Sequence, residues 1–171
     1  MLASAQTQQP IRDPDAIRAL LTQVTDPEIP VLTLTDLGVL REVLWEGEKL
    51  VIVITPTYSG CPAVRAMEDD IRETLRKAGY RNVDVRTRLA PAWTTDWLSE
   101  AGRAKLHDYG IASPVHGFNK PCMEPDQDVS VQCPRCDSTD TKLVSRFGST
   151  ACKALYKCNA CLEPFDYFKC L

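Results

Sequence analysis

Two short cysteine pairs, Cys133-Pro134-Arg135-Cys136 and Cys158-Asn159-Ala160-Cys161, constrain this 171-residue chain more than any other feature. Each C-x2-C turn can aim two thiolates at one ion, and two such turns complete a closed tetrahedral shell. The stretches TKLVSRFGS and KALYKC between the pairs read as strands, so the pattern predicts a small β-rich zinc ribbon over residues 131–171. So short a unit buries too little surface to fold unaided, and the metal is expected to supply much of its folding energy. A structural Zn2+ is the expected ion. Iron in a rubredoxin-like site or an iron–sulfur cluster uses the same four ligands, and thiolates alone do not choose between them. A closed shell leaves no open position, which points to a docking or recognition module and away from metal catalysis.

The chain holds eight cysteines in all, most of them in its last third. The N-terminal MLASAQTQQP has no basic residue followed by an apolar core, so residues 1–12 are expected to be a disordered polar tail and the protein to be cytoplasmic. In that reducing compartment metal ligation or catalysis is a better use of thiols than a disulfide scaffold. No apolar run is long enough to cross a bilayer, which argues against a membrane role. A net charge of −3 lacks the basic excess that phosphate neutralisation requires, so no nucleic-acid partner is expected.

Upstream of the ribbon the elements run α-β-β-α-β-α. Asp13-Pro14 opens a helix with Ile17, Leu20, Leu21 and Val24 on one stripe. Two β-rich runs, VLREVLW and LVIVITPT, flank Glu46-Gly47-Glu48, the chemistry of a hairpin loop. A second helix runs from about Pro62 to Gly79, a half-buried strand alternates Val83, Val85, Thr87 and Leu89, and a last helix within TTDWLSEAGRAKLHDYG closes at Gly110. The class is therefore α+β: a small mixed sheet with helices packed on it over 13–112, a proline-punctuated linker over 113–130, and the ribbon.

One thiol stands apart. Cys61, in TPTYSGCPA, follows a strand and a Ser59-Gly60 turn and precedes Pro62 at a helix start, where backbone N–H groups and the positive helix end are expected to favour thiolate. A packing cysteine fits the same position equally well. A tyrosine-phosphatase loop is excluded, because Met67 stands where its arginine belongs and Arg65 does not replace it. A thioredoxin-type pair is excluded by Val64. Asp26, Glu28 and Asp36 read first as caps and turn formers. His107 and His116 read as solvated, Cys152 and Cys170 as small core residues or ligands of another metal, and Cys122 as an incidental linker thiol. Trp93 and Trp97 read as core or interface anchors. No general base accompanies Cys61 and no nucleotide-binding glycine motif is present, so an independent enzyme is not expected.

The blocks DPEIPVLTLTDLGVLREV, ITPTYSGCPA and LAPAWTTDWLSEAGRAKLHDYGI resemble the signatures of the domain shared by SufT-like and cytosolic iron–sulfur assembly factors. Together with CPRC, FGSTACKALYKC and CLEPFDYFKC, they make the chain, from about residue 13 onward, similar to the PaaD (PaaJ) family. These are small accessory proteins of the bacterial phenylacetyl-CoA epoxidase system. The resemblance implies a role in phenylacetate catabolism, assisting assembly of the epoxidase's di-iron site or its reductase's iron–sulfur cluster. It places the functional cysteine at Cys61, as reactive thiol or as ligand of a transient iron or cluster, with Asp26, Glu28, Thr55 and Gly60 as its supporting loop. It implies oxygenase or reductase subunits, or iron–sulfur carrier proteins, as partners. A different reading, a structural epoxidase subunit that touches no metal, draws on Trp93, Trp97 and the aromatic run Phe165, Tyr167 and Phe168 as an exposed interface.

Overall fold

Asp13 accepts a hydrogen bond from the Asp15 amide at 3.0 Å and so starts helix α1 (Pro14–Leu21), with Pro14 where its missing N–H costs nothing. Ile17 and Leu21 turn inward and are fully buried. The computed structural model describes residues 11–114 and 131–169; most of the expected tail and linker, with His116, Cys122 and Cys170, lies outside the described residues.

Strands β1 (Leu40–Glu46) and β2 (Lys49–Ile54) form an antiparallel hairpin in which Glu46 pairs with Lys49. Its loop is thus the two residues Gly47-Glu48, one fewer than the sequence suggested, with Gly47 at φ +62° as such tight turns require. Helix α2 (Val64–Lys77) buries Met67, Ile71 and Leu75 and returns the chain to β3 (Val83–Thr87), which runs parallel to β2. The sheet order β1-β2-β3 is mixed, as expected, and β2 is its buried centre. Leu89, read as the end of β3, is exposed and lies beyond it.

After β3 the chain makes a 3-10 turn (Thr95–Trp97) and then helix α3 (Glu100–Tyr109), which starts later than the sequence suggested. Ser99 caps α3 by accepting from Gly102, and Gly110 at φ +88° ends it. Asp36 ties α3 to the loop before β1: its carboxylate accepts from the Thr33 amide and hydroxyl and from Lys105 Nζ at 2.6 Å. Gly38 is required beside it, since a Cβ there would meet the Trp97 carbonyl at 2.5 Å, and its φ is +66°.

A second sheet has the order β4-β7-β6-β5, built from β4 (Ile111–Ala112), β5 (Thr141–Ser145), β6 (Lys153–Cys158) and β7 (Pro164–Phe168). Residues 111–112 follow α3 directly yet pair in parallel with Asp166 and Tyr167 of β7, so the N-terminal unit donates an edge strand to the ribbon. The seam is also packed. Phe168 is 1% exposed, belongs to the N-terminal core, and meets Trp93 edge to face at 5.9 Å. This corrects the reading of Phe165, Tyr167 and Phe168 as an exposed interface: all three are buried. Phe165 and Tyr167 fill the ribbon's own core against Tyr156 while Phe168 fills the seam, a division that an aromatic run without its strand partners cannot reveal. Trp93 is likewise core, donating from Nε1 to the Leu37 carbonyl, and Trp97 is half-buried under the Arg41 guanidinium.

Candidate metal centre and thiol pocket

The two cysteine turns share one geometry. Cys133 N donates to Ser138 O at 2.9 Å, and Cys158 N donates to Glu163 O at 3.0 Å, five residues on in each case. The residue after each second cysteine, Asp137 and then Leu162, takes a left-handed φ of 58° and 67°. A non-glycine residue adopts that conformation at a cost of about 1 kcal/mol, and both turns accept it to aim their sulfurs inward. The Sγ atoms of Cys133, Cys136, Cys158 and Cys161 all lie within 4.8 Å of one another, with Cys133–Cys161 at 3.8 Å and Cys136–Cys158 at 3.6 Å. Four ligands at the zinc–sulfur bond length of about 2.3 Å define a tetrahedron with edges of about 3.8 Å, so the donor set fits that ion.

The protonation of the group points the same way. The Cys161 and Ala160 amides hold the Cys158 thiol down at about 7, with Cys161 N 3.4 Å from its sulfur. Although the Ser138 amide favours its thiolate, Cys136 is driven up by burial and by the other three sulfurs. Cys158 therefore gives up its proton well before Cys136, and a bound cation would displace both.

Cys61 stands elsewhere, and the structure changes what was expected of it. The turn Tyr58 to Cys61 closes through Cys61 N to Tyr58 O at 3.2 Å, but α2 begins only at Val64. Cys61 is 9% exposed and belongs to the N-terminal core. Burial pushes its thiol up, and the Glu28 and Asp26 carboxylates push the same way. The Ala63 amide and the Tyr58 hydroxyl oppose them without prevailing. The expected thiolate is therefore not the resting form, because helix-start donors weigh less than burial beside two acids.

Asp26 is 6% exposed and its Oδ1 accepts from the Glu28 amide at 2.7 Å and the Ile29 amide at 2.8 Å, the turn-forming role read from the sequence. That turn also holds the backbone that carries Glu28, whose charge acts on the Cys61 thiol. Burial raises the Asp26 carboxyl despite these donors and despite Lys153. Thr55 is buried at the end of β2 and donates its amide to Val39 O, whereas Gly60 is exposed with only the Tyr58 ring near it.

Sequence reasoning missed two members of this pocket. Tyr58 is half-buried near Cys61; burial first, then the charges of Cys61 and Glu28, push its phenol up to about 12. Cys152 arrives from the ribbon, 4% exposed, with its Sγ donating to Glu28 Oε2 at 3.7 Å. Its thiol is pushed up to about 11, chiefly by burial. The clue was its exclusion from both C-x2-C pairs. His107, read as solvated, is exposed and faces Asp137 Oδ1 of the first cysteine turn at 3.4 Å.

Comparison with known proteins follows this division. The model of the PaaD zinc beta ribbon domain matches residues 119–169, and the model of the iron–sulfur cluster assembly protein family matches residues 14–86. A protein of Escherichia coli (strain K12), described as a putative 1,2-phenylacetyl-CoA epoxidase subunit, is 53% identical over 155 residues, which cover 91% of this chain and 92% of that one. Among solved structures, the domain of unknown function DUF59 from Bacillus anthracis superposes with a TM-score of 0.50 at 25% identity, over 54% of this chain and 89% of that one. No helix among the described residues is long and apolar enough to cross a membrane.

Proposed function

As the chain belongs to the PaaD family of phenylacetyl-CoA epoxidase components, we propose that it is an accessory component of such an epoxidase and assists assembly of the system's di-iron or iron–sulfur centre. It is not itself the catalyst. The observation that carries this reading is the separation of two kinds of cysteine: four gathered sulfurs at one site, and Cys61, buried and acted on by the Glu28 and Asp26 carboxylates, at another. The gathered group holds a structural zinc through Cys133, Cys136, Cys158 and Cys161. Cys61 takes iron or a cluster as cargo, in the cytoplasm, where thiols stay reduced.

The pocket suits cargo better than a resident ion. Glu28 and Asp26 disfavour a second negative charge at Cys61 and favour an arriving cation, which displaces the thiol proton as it binds. Tyr58 stands half-buried beside this thiol, and the Asp26 turn fixes the loop that carries Glu28. The ribbon docks the oxygenase or reductase subunit, or an iron–sulfur carrier. Its edge strand β5 and the next turn expose Val144 at 54% and Phe147 at 69%, apolar surface of the kind that partners cover.

The test is a strain whose only copy carries Cys61→Ala. It should fail to grow on phenylacetate and yield epoxidase poor in iron. Normal growth with fully loaded epoxidase would overturn the maturation role and favour a purely structural subunit.

A further inference from the structure

Cys152 sits in the turn before β6 of the ribbon, yet it packs in the N-terminal core with Cys61 and Phe168 and not in the ribbon's own core. Its position is fixed from several sides. Its carbonyl accepts from Lys169 N at 2.9 Å, its sulfur contacts Thr150 Oγ1 at 3.0 Å, and the next residue, Lys153, is buried with Nζ 3.7 Å from Asp166. The seam thereby brings its sulfur to Glu28, 124 residues away in the chain. Glu28 accepts from the Cys152 sulfur, its charge and that of Asp26 act on both thiols, and Tyr58 feels Cys61, Cys152 and Glu28 alike.

We infer that Cys61, Cys152 and Glu28 are the ligands of one second metal site, straddling the seam, for a thiophilic divalent ion of the Fe(II) class. This rests on the metal-handling role proposed for Cys61 and adds that the ribbon supplies half of the sulfur. Two thiolates and a carboxylate oxygen occupy three positions of a tetrahedral shell and leave one for a donor or acceptor protein's ligand. Binding replaces the ion's water shell with two sulfurs, one oxygen and a single remaining water, and the two thiol protons leave to bulk water. Unlike the ribbon sulfurs, which are the one group of three or more potential ligands already gathered among the described residues, this site closes around its ion. Cys152 and Glu28 are in contact beforehand, and Cys61 completes the shell. Such a site releases what it binds more readily than four gathered thiolates do.

The test uses the full chain, loaded with one equivalent of zinc and titrated anaerobically with Co(II). Cobalt binds such ligands more weakly than zinc and leaves the ribbon occupied. The wild type should take up one cobalt with a sulfur-to-cobalt charge-transfer band of two-thiolate intensity. Cys61→Ser and Cys152→Ser should each halve that band and weaken binding roughly tenfold or more, while Glu28→Gln weakens binding at unchanged band intensity. If Cys61→Ser abolishes binding and Cys152→Ser alters neither band nor affinity, the shared site is overturned while the Cys61 reading stands. Wild type that binds no cobalt beyond the zinc site overturns both. Zinc content and melting temperature show whether each variant folds. Should Cys152→Ser melt early, Glu28→Gln decides, because unchanged affinity there overturns the site.

Discussion

In the ribbon, opposed sulfurs stand 3.6 and 3.8 Å apart and two turns of the same geometry hold them there. At the seam Cys152 reaches the Glu28 carboxylate at 3.7 Å, and burial beside Glu28 and Asp26 pushes the Cys61 thiol up. Both regions carry cysteine sulfur, and the surroundings set them apart. Backbone amides aimed at sulfur and a closed set of four thiols suit an ion that stays and folds its domain. Burial beside Asp26 and Glu28 keeps the other thiols neutral until a cation arrives.

The largest expected contrast lies between cysteines of the two sites. Cys158→Ser should cost the ribbon its zinc and its fold, since structural zinc contributes on the order of 10 kcal/mol to such units. Cys61→Ala should keep the zinc and lower stability by only about 1 kcal/mol. Zinc analysis and amide NMR spectra of both variants check this; a ribbon that stays folded without metal breaks the comparison at its stronger end.

Next in size is the seam that joins the two regions. Phe168→Ala removes a side chain that is 1% exposed and packed edge to face on Trp93, and should cost about 3–4 kcal/mol in chemical denaturation. It should also split a shared transition into two. A single transition with little loss would mean that the regions do not depend on each other.

A smaller effect belongs to Asp36, which anchors α3 to the loop before β1. Burial acts to raise its carboxyl, but the Lys105 ammonium and the Thr33 donors outweigh burial and hold it below the usual range. A lowered folded pKa stabilises above the unfolded value, near 4, and that increment is lost as pH falls through the folded value. Asp36→Asn should therefore cost about 1–2 kcal/mol at pH 7, with the gap from wild type shrinking below about pH 4. Urea unfolding of the N-terminal unit, followed by its own amide signals, reads this apart from the ribbon, whose thiols regain protons and shed metal in acid.

The sequence discloses what short-range chemistry decides. Asp13-Pro14, the Gly47 turn, the stripe Met67-Ile71-Leu75 and the C-x2-C pairs each act within a few residues, and the structure bears out the class they predict. The seam was not legible, because the pairing of residues 111–112 with β7 and the contact of Phe168 with Trp93 join distant parts of the chain. The same limit hid the state of Cys61. Its place before a helix was readable, but the acids and the burial that outweigh that helix come from other segments. Cys152 could be read as a small core residue or a ligand of another metal, but its neighbour Glu28 lies too far along the chain to be foreseen.

Metal analysis of anaerobically purified wild type and Cys61→Ala separates the two kinds of cysteine in one experiment. One zinc is expected in both proteins, with iron bound by the wild type and lost from the variant. Equal iron in the two proteins, or none taken up by wild type supplied with ferrous iron during anaerobic purification, would contradict the cargo role of Cys61.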